Sequence, residues 1–345
     1  MRINLRGVLT AFVATAALPM ASTSATMDLK LSDVGSFMIL GQEAKITGQA
    51  PLEIATAANM KPYKYDPNGA FETGQMYVQY FKKQAPRSKL PIIFIHGGGL
   101  TGQTWDTKPD GGSGWNKFFI QAGYDTYIPD AVERGKSTWS KYPDIYKSEP
   151  IFRSKQEAWE LFRIGPAYNK GSVSDAFVDT QFPVDHFREF AAMNTPRWLT
   201  NDVATQRAYD ALVEKVCPCI VIAHSQGTTF AINAARNNPA KIKALVLVEP
   251  SSAPPTETVN FADVSKIPHL YVWGDHLNDN PLWPGFVAKS RAYYEKLLGT
   301  GGSATWFDLP AMGLKGNTHM IMMDKNSDEV AKTVRDWISK SVKPL

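Results

Sequence analysis

Seven short apolar runs punctuate the chain: MYVQYF (76–81), PIIFIH (91–96), YDTYIP (124–129), CIVIAH (219–224), ALVLVE (244–249), HLYVWG (269–274) and ATWFDL (304–309). Near-continuous apolarity over four to six residues is the pattern of strands buried on both faces. Between most of them lie segments with apolar residues at helical spacing, over 114–122, 203–215, 226–236, 286–298 and 328–341. The first of these stops at Gly123, a residue suited to a helix C-terminus. Strands alternating with helices predict an α/β architecture with a mostly parallel, doubly wound sheet.

One region breaks the alternation. Residues 134–197 contain no strong strand pattern but hold a dense set of aromatics, among them Trp139, Phe152, Trp159, Phe162, Tyr168, Phe182, Phe187 and Phe190. A structureless loop of that length is uncommon in a compact domain. We therefore expect a partly helical, cap-like insertion over one end of the sheet. In open α/β sheets that end, at the strand carboxyl termini, is where pockets form.

The first 25 residues carry Arg2 and Arg6, an apolar run of about a dozen residues, then small residues up to Ala25. This is the layout of a secretory signal peptide, and the run is short of the ~20 residues a membrane span needs. The expected organisation is a signal peptide at 1–25 and a single domain over 26–345, periplasmic or secreted, with no stable membrane span. Lys and Arg number 37 against 33 Asp and Glu, with no basic block, so nucleic acid is not an expected partner. Self-association into a homodimer stays open. The two cysteines, Cys217 and Cys219, flank one proline. They could pair in an oxidising compartment, although extended residues at that spacing lie near the upper Cα limit for a disulfide. Two buried thiols is the equally weighted alternative.

The chemistry concentrates around CIVIAHSQG. A serine on a sharp turn between strand and helix presents its hydroxyl clear of the sheet, and small residues must stand two before and two after it. Here they are Ala223 and Gly227 around Ser225. Such a hydroxyl needs a base. Of the six histidines, His319 lies in a glycine-containing loop after the last strand run and before the last helix, where a base belongs in the order serine, acid, histidine. His224 points away from the serine in an ideal strand, and His96 is expected to shape its own loop. The acid would orient the imidazole. Glu249, ending ALVLVE, and Asp275, following YVWG, are equal candidates on the residues alone. Oxyanion donors are expected from the amide of Gln226 and from the triple glycine Gly97, Gly98 and Gly99.

These motifs resemble a group of secreted bacterial serine esterases of the α/β-hydrolase fold. The similarity rests on QMYVQY, IHGGGLTGQTWDTKPDG, GYDTYIPD with ERGKS, HSQ, VEP, GDH and LPAMGLKGNTHM, and covers most of the chain after the leader. It implies Ser225 as nucleophile, His319 as base, Glu249 as acid and the amides of Gly98 and Gln226 as oxyanion donors. A member of that group has adjacent cysteines, joined as a vicinal disulfide, where Gly98 and Gly99 stand here. The implied activity is hydrolysis of a carboxylic ester through an acyl-enzyme, without metal or organic cofactor. The aromatic insertion suggests a small, fairly apolar or aromatic ester as substrate. The same residues would also serve a lactonase, an amidase or a carbon–carbon hydrolase, and the scaffold could bind without turnover.

Overall fold

Alternate residues of the apolar runs face opposite sides of one sheet. Ile220 and Ile222 join one buried cluster, whereas Val221 and Ala223 join the other. The computed structural model describes residues 29–139 and 147–342. The expected signal peptide therefore lies outside the described residues. All seven runs are strands of one main sheet, which one earlier strand completes: β1 (Leu31–Ile39), β2 (Met76–Lys83), β3 (Ile92–Ile95), β4 (Thr126–Asp130), β5 (Cys219–His224), β6 (Ile242–Val248), β7 (His269–Trp273) and β8 (Ala304–Asp308). Their order across the sheet is β1-β2-β4-β3-β5-β6-β7-β8. The pairings from β4 to β8 are parallel, and β2 runs antiparallel to both of its neighbours. β1 escapes sequence reading because it is an edge strand whose residues are mostly exposed or half-buried.

Among the described residues eight helices connect or cover the strands: α1 (Trp115–Ala122), α2 (Lys155–Leu161), α3 (Phe187–Ala191), α4 (Asp202–Val216), α5 (Gly227–Asn237), α6 (Phe261–Val264), α7 (Trp283–Gly299) and α8 (Ser327–Ser341). α1 ends on Gly123 in the left-handed region at φ 101°, where a side chain would be strained. α1 and α8 contribute Phe119, Val334 and Trp337 to one face of the sheet. α4, α5 and α7 contribute Tyr209, Phe230 and Tyr293 to the other. Each large apolar side chain removed from water in this way contributes about 1.5–3 kcal/mol.

The 134–197 segment carries the short helices α2 and α3. Its Trp159, Phe162, Phe182, Phe187 and Phe190 are buried in the same cluster as α1 and α8, packed edge-to-face or tilted against one another. Its aromatics thus extend the core over the sheet. Cys217 and Cys219 are bonded, with Cα atoms 4.4 Å apart. The pair does not sit near the upper Cα limit expected of an extended stretch, because the chain bends at Pro218 between the end of α4 and the start of β5. Among the described residues no helix is long and apolar enough to cross a membrane.

Candidate active site

The turn after β5 brings Ser225 to the carboxyl edge of the sheet with φ 54°, a left-handed backbone that a non-glycine residue adopts only when its surroundings impose it. The surroundings here are close. The Ser225 amide donates to the Val248 carbonyl (3.0 Å), and the Thr228 hydroxyl donates to the Ser225 carbonyl (2.6 Å). A Cβ on Gly227 would stand 2.5 Å from the His96 carbonyl oxygen, so only glycine lets α5 start this close to the neighbouring strand end. Gln226 is the residue immediately before α5, so its amide sits at the helix N-terminus, where N–H groups have no partner within the helix and the dipole is positive.

His319 is fixed from several sides. Its amide donates to the Phe162 carbonyl (3.0 Å), and its own carbonyl accepts from His224 Nε2 (2.9 Å). The loop is tied down by Asp324, whose carboxylate accepts from Asn317 Nδ2 (3.0 Å), the Thr318 amide (2.8 Å) and the Thr318 hydroxyl (2.8 Å). Burial pushes Asp324 up to about 6 against those three bonds. His319 Nδ1 donates to Glu249 Oε2 at 3.2 Å. A carboxylate can only accept, so that bond fixes the proton on Nδ1 and leaves Nε2 with a lone pair. Burial, reinforced by the cations of Arg163 and Arg153, holds His319 well below the ordinary histidine range. Its imidazole is therefore neutral at pH 7, the state a base requires.

The two candidate acids differ in their surroundings. Glu249, fully buried and with φ 52°, uses Oε1 to accept from Arg163 Nη2 (2.8 Å) and from the Gly274 amide (2.5 Å). Burial pushes its carboxyl upward, and the Arg163 cation and the Gly274 amide pull it back. Asp275 instead accepts from the Gly316 amide (3.0 Å) and the His276 amide (2.8 Å), bracing the base of the histidine loop. Only Glu249 of the two bonds to His319.

Arg163 is absent from the sequence-based reading. It lies in the insertion, has a fully buried side chain and φ 57°, and spans Glu249, the Asp275 carbonyl (2.7 Å from Nε) and the Trp283 ring (4.1 Å). Nothing in the local pattern FRIG marks it. A buried carboxylate needs a partner, but its identity emerges only from tertiary contact. His224 also differs from expectation. It lines the same cavity as Ser225 and supports the His319 carbonyl. His96 is where the sequence put it. Its Nε2 accepts from the Ala131 amide (2.9 Å) and its Nδ1 donates to the Gly97 carbonyl (2.8 Å), anchoring the glycine loop. Burial, then the Arg134 cation, pushes it down to about 4.

Ser225, His319, Gly98 and Gln226 line one cavity of about 320 Å³. Its walls include Leu100, Phe162, Leu282, Trp283 and Phe286, together with Arg153, Glu157 and Arg197. A Cβ on Gly98 would stand 2.9 Å from both Arg197 Nη1 and Gln226 Oε1. Glycine therefore lets the loop lie flat against them. Among the described residues one group of potential metal ligands converges, Asp179, Asp275 and His276, and His276 already bonds to Asp179 and Asp279 there.

A mostly parallel sheet with a serine on a strand-to-helix elbow and a carboxylate-bonded histidine lining the same cavity is the arrangement of a class of hydrolases. Residues 92–337 match the alpha/beta hydrolase family, and the chain belongs to that family. It is similar to a solved structure described as a novel bacterial esterase, at 34% identity and a TM-score of 0.80, covering 92% of this chain and 98% of that one. It is also similar to a probable secreted lipase, phiG, of Fungal sp. (strain ATCC 74256), at 27% identity over 327 residues, covering 79% of this chain and 88% of the relative.

Proposed function

We propose that the protein is a secreted serine hydrolase that cleaves a carboxylic ester through an acyl-enzyme. Ser225 Oγ attacks the carbonyl carbon while His319 Nε2 takes its proton. Glu249 holds the Nδ1–H tautomer and stabilises the imidazolium that forms. The amides of Gly98 and Gln226 receive the oxyanion. The tetrahedral intermediate collapses to the acyl-enzyme as His319 returns the proton to the departing alcohol oxygen. Water, deprotonated by His319, then releases the acid and regenerates Ser225. The apolar wall of Leu282, Trp283 and Phe286 suits an apolar or aromatic portion of the substrate.

The observation that carries this reading is the 3.2 Å bond between His319 Nδ1 and Glu249 Oε2, in the wall of the cavity that Ser225 enters. The similarity to an esterase and to a secreted lipase supports the ester class and export. A serine-directed fluorophosphonate should label the native protein and leave Ser225→Ala unlabelled. Equal labelling of both, or of neither, would sink the serine mechanism. For the acid, Glu249→Gln should lower kcat by about 10⁴ through loss of the correct tautomer. Asp275→Asn should retain most turnover, and the reverse ranking would transfer the role to Asp275.

A further inference from the structure

The cavity is not uniformly apolar. Arg153 and Arg197 enter it from two stretches of the insertion that are stitched together. The Ile151 amide donates to the Arg197 carbonyl (2.8 Å) and the Arg197 amide to the Ile151 carbonyl (2.9 Å). The stretch is pinned again at the next residue. The Trp198 amide donates to Glu133 Oε1 (3.3 Å), and Asn201 Nδ2 donates to Glu133 Oε2. Arg197 thus stands on braced backbone.

The acids near Arg197 are engaged elsewhere, and the acid beside Arg153 is paired with it. Glu133 is 3.6 Å from Arg134 and accepts from Trp198 and Asn201. Asp202, the carboxylate that most strongly attracts Arg197, accepts from Gln226 Nε2 at 3.4 Å. Glu157 pairs with Arg153, and its side chain is 51% exposed. Arg197 itself forms no ion pair among the described residues, and its buried Nε has no hydrogen-bond partner there. Arg197 is half-buried: its Nε is cut off from water without a partner, which is costly, while the rest of the fork faces the cavity. Its planar fork matches a carboxylate. It also lies against Gly98, within a few bonds' reach of a carbonyl held by that amide.

We infer that this cavity selects esters carrying a second, ionised carboxylate a few bonds from the scissile carbonyl, held by Arg197 with Arg153 behind it. The inference rests on the ester-hydrolase reading for its reaction but not for its binding. The remainder of the substrate lies along Leu282, Trp283 and Phe286. A half-ester of a short dicarboxylic acid with an aromatic alcohol combines both features.

Binding is measured on Ser225→Ala by calorimetry, with monobenzyl glutarate and its neutral counterpart, benzyl methyl glutarate. The half-ester should bind about 10- to 100-fold more tightly, the usual worth of a charge-assisted fork. The preference should shrink on raising salt from 0.05 to 0.5 M, the response of a partly solvated ion pair. Adding Arg197→Met should collapse the ratio to about one. Adding Arg153→Gln should reduce it partway, and this variant stands in if the first does not fold. Equal binding of the two probes, a preference that survives both arginine changes, or an Arg197→Met effect equal on both probes would overturn the inference. Turnover of benzyl methyl glutarate by the wild type tests the hydrolase reading separately. A protein that binds the half-ester selectively and hydrolyses neither probe would keep the carboxylate site and lose the proposed reaction.

Discussion

Replacing Arg163 by methionine removes the guanidinium that, among the described residues, pairs with Glu249, while keeping most of the side-chain volume. Both partners are fully buried, so the change strands a carboxylate in the interior. It also deletes the bond to the Asp275 carbonyl and the contact with the Trp283 ring. Breaking a buried pair by removing one partner costs about 3–5 kcal/mol. At about 2.1 cal/mol/K per residue, a chain of 345 residues has an unfolding entropy near 0.7 kcal/mol/K. The expected fall in Tm is therefore about 4–7 °C. The signs in the pH profile are fixed as well. Without the Arg163 cation the Glu249 carboxyl rises, because burial is then opposed mainly by the Gly274 amide. His319 also rises, because one of the cations holding it down is gone. A higher pKa on the base means protonation, and so loss of turnover, at higher pH. A higher pKa on the acid removes its charge over the same range. The acid limb of kcat/KM should therefore move to higher pH, and activity near pH 6 should fall more than activity near pH 8. Differential scanning calorimetry and a pH series of initial rates on a neutral aryl ester check both. A variant with wild-type Tm and an unmoved acid limb would refute the claim that Arg163 sets the electrostatics of this pair.

Three further outcomes follow from the same contacts. Gly227→Ala drives a Cβ to 2.5 Å from the His96 carbonyl, so the start of α5 must shift; kcat should drop at least tenfold on a simple aryl ester while KM changes little. Asp324 is raised from 3.8 to about 6 in the folded state, so its contribution favours folding below about pH 4 and is lost as pH rises to 6; urea titrations over that window should show a downward trend of on the order of 2–3 kcal/mol that Asp324→Asn flattens. The Cys217–Cys219 bridge closes a very short loop, so the double serine variant should lose only about 1.5 kcal/mol, and its kcat/KM should be unchanged because the bridge lies at the end of β5 opposite Ser225.

Sequence reading succeeds where one residue type or period is forced by local physics. The buried strands must be continuously apolar. The elbow must have small neighbours, and Gly123 must take a left-handed turn. It stalls where the decision is made by packing between distant segments. Glu249 and Asp275 both end strands, and residue patterns alone leave them equal. What separates them is that the Gly316 and His276 amides claim Asp275, whereas Glu249 faces His319 Nδ1. Arg153, Arg163 and Arg197 went unremarked for the same reason. They lie in a region without periodicity, and an arginine in such a stretch reads as solvated surface. The insertion's aromatics suggested an apolar cap, and they do pack in the core; the charged residues between them reach the cavity. β1 was missed because an edge strand with one half-wet face has no need of an apolar run.

Arg163 also bears on modularity. Insertions in a scaffold like this one are tempting units to exchange between relatives, as though pocket shape could be swapped while the chemistry stays in the sheet. Here the insertion supplies the counter-ion of the sheet's own glutamate. On the proposed assignment, a grafted cap without an arginine at this point would bring a new pocket and an uncompensated acid together. A cap that swings away from the sheet would withdraw that charge from the site in the same motion, so the reaction could run only with the insertion docked.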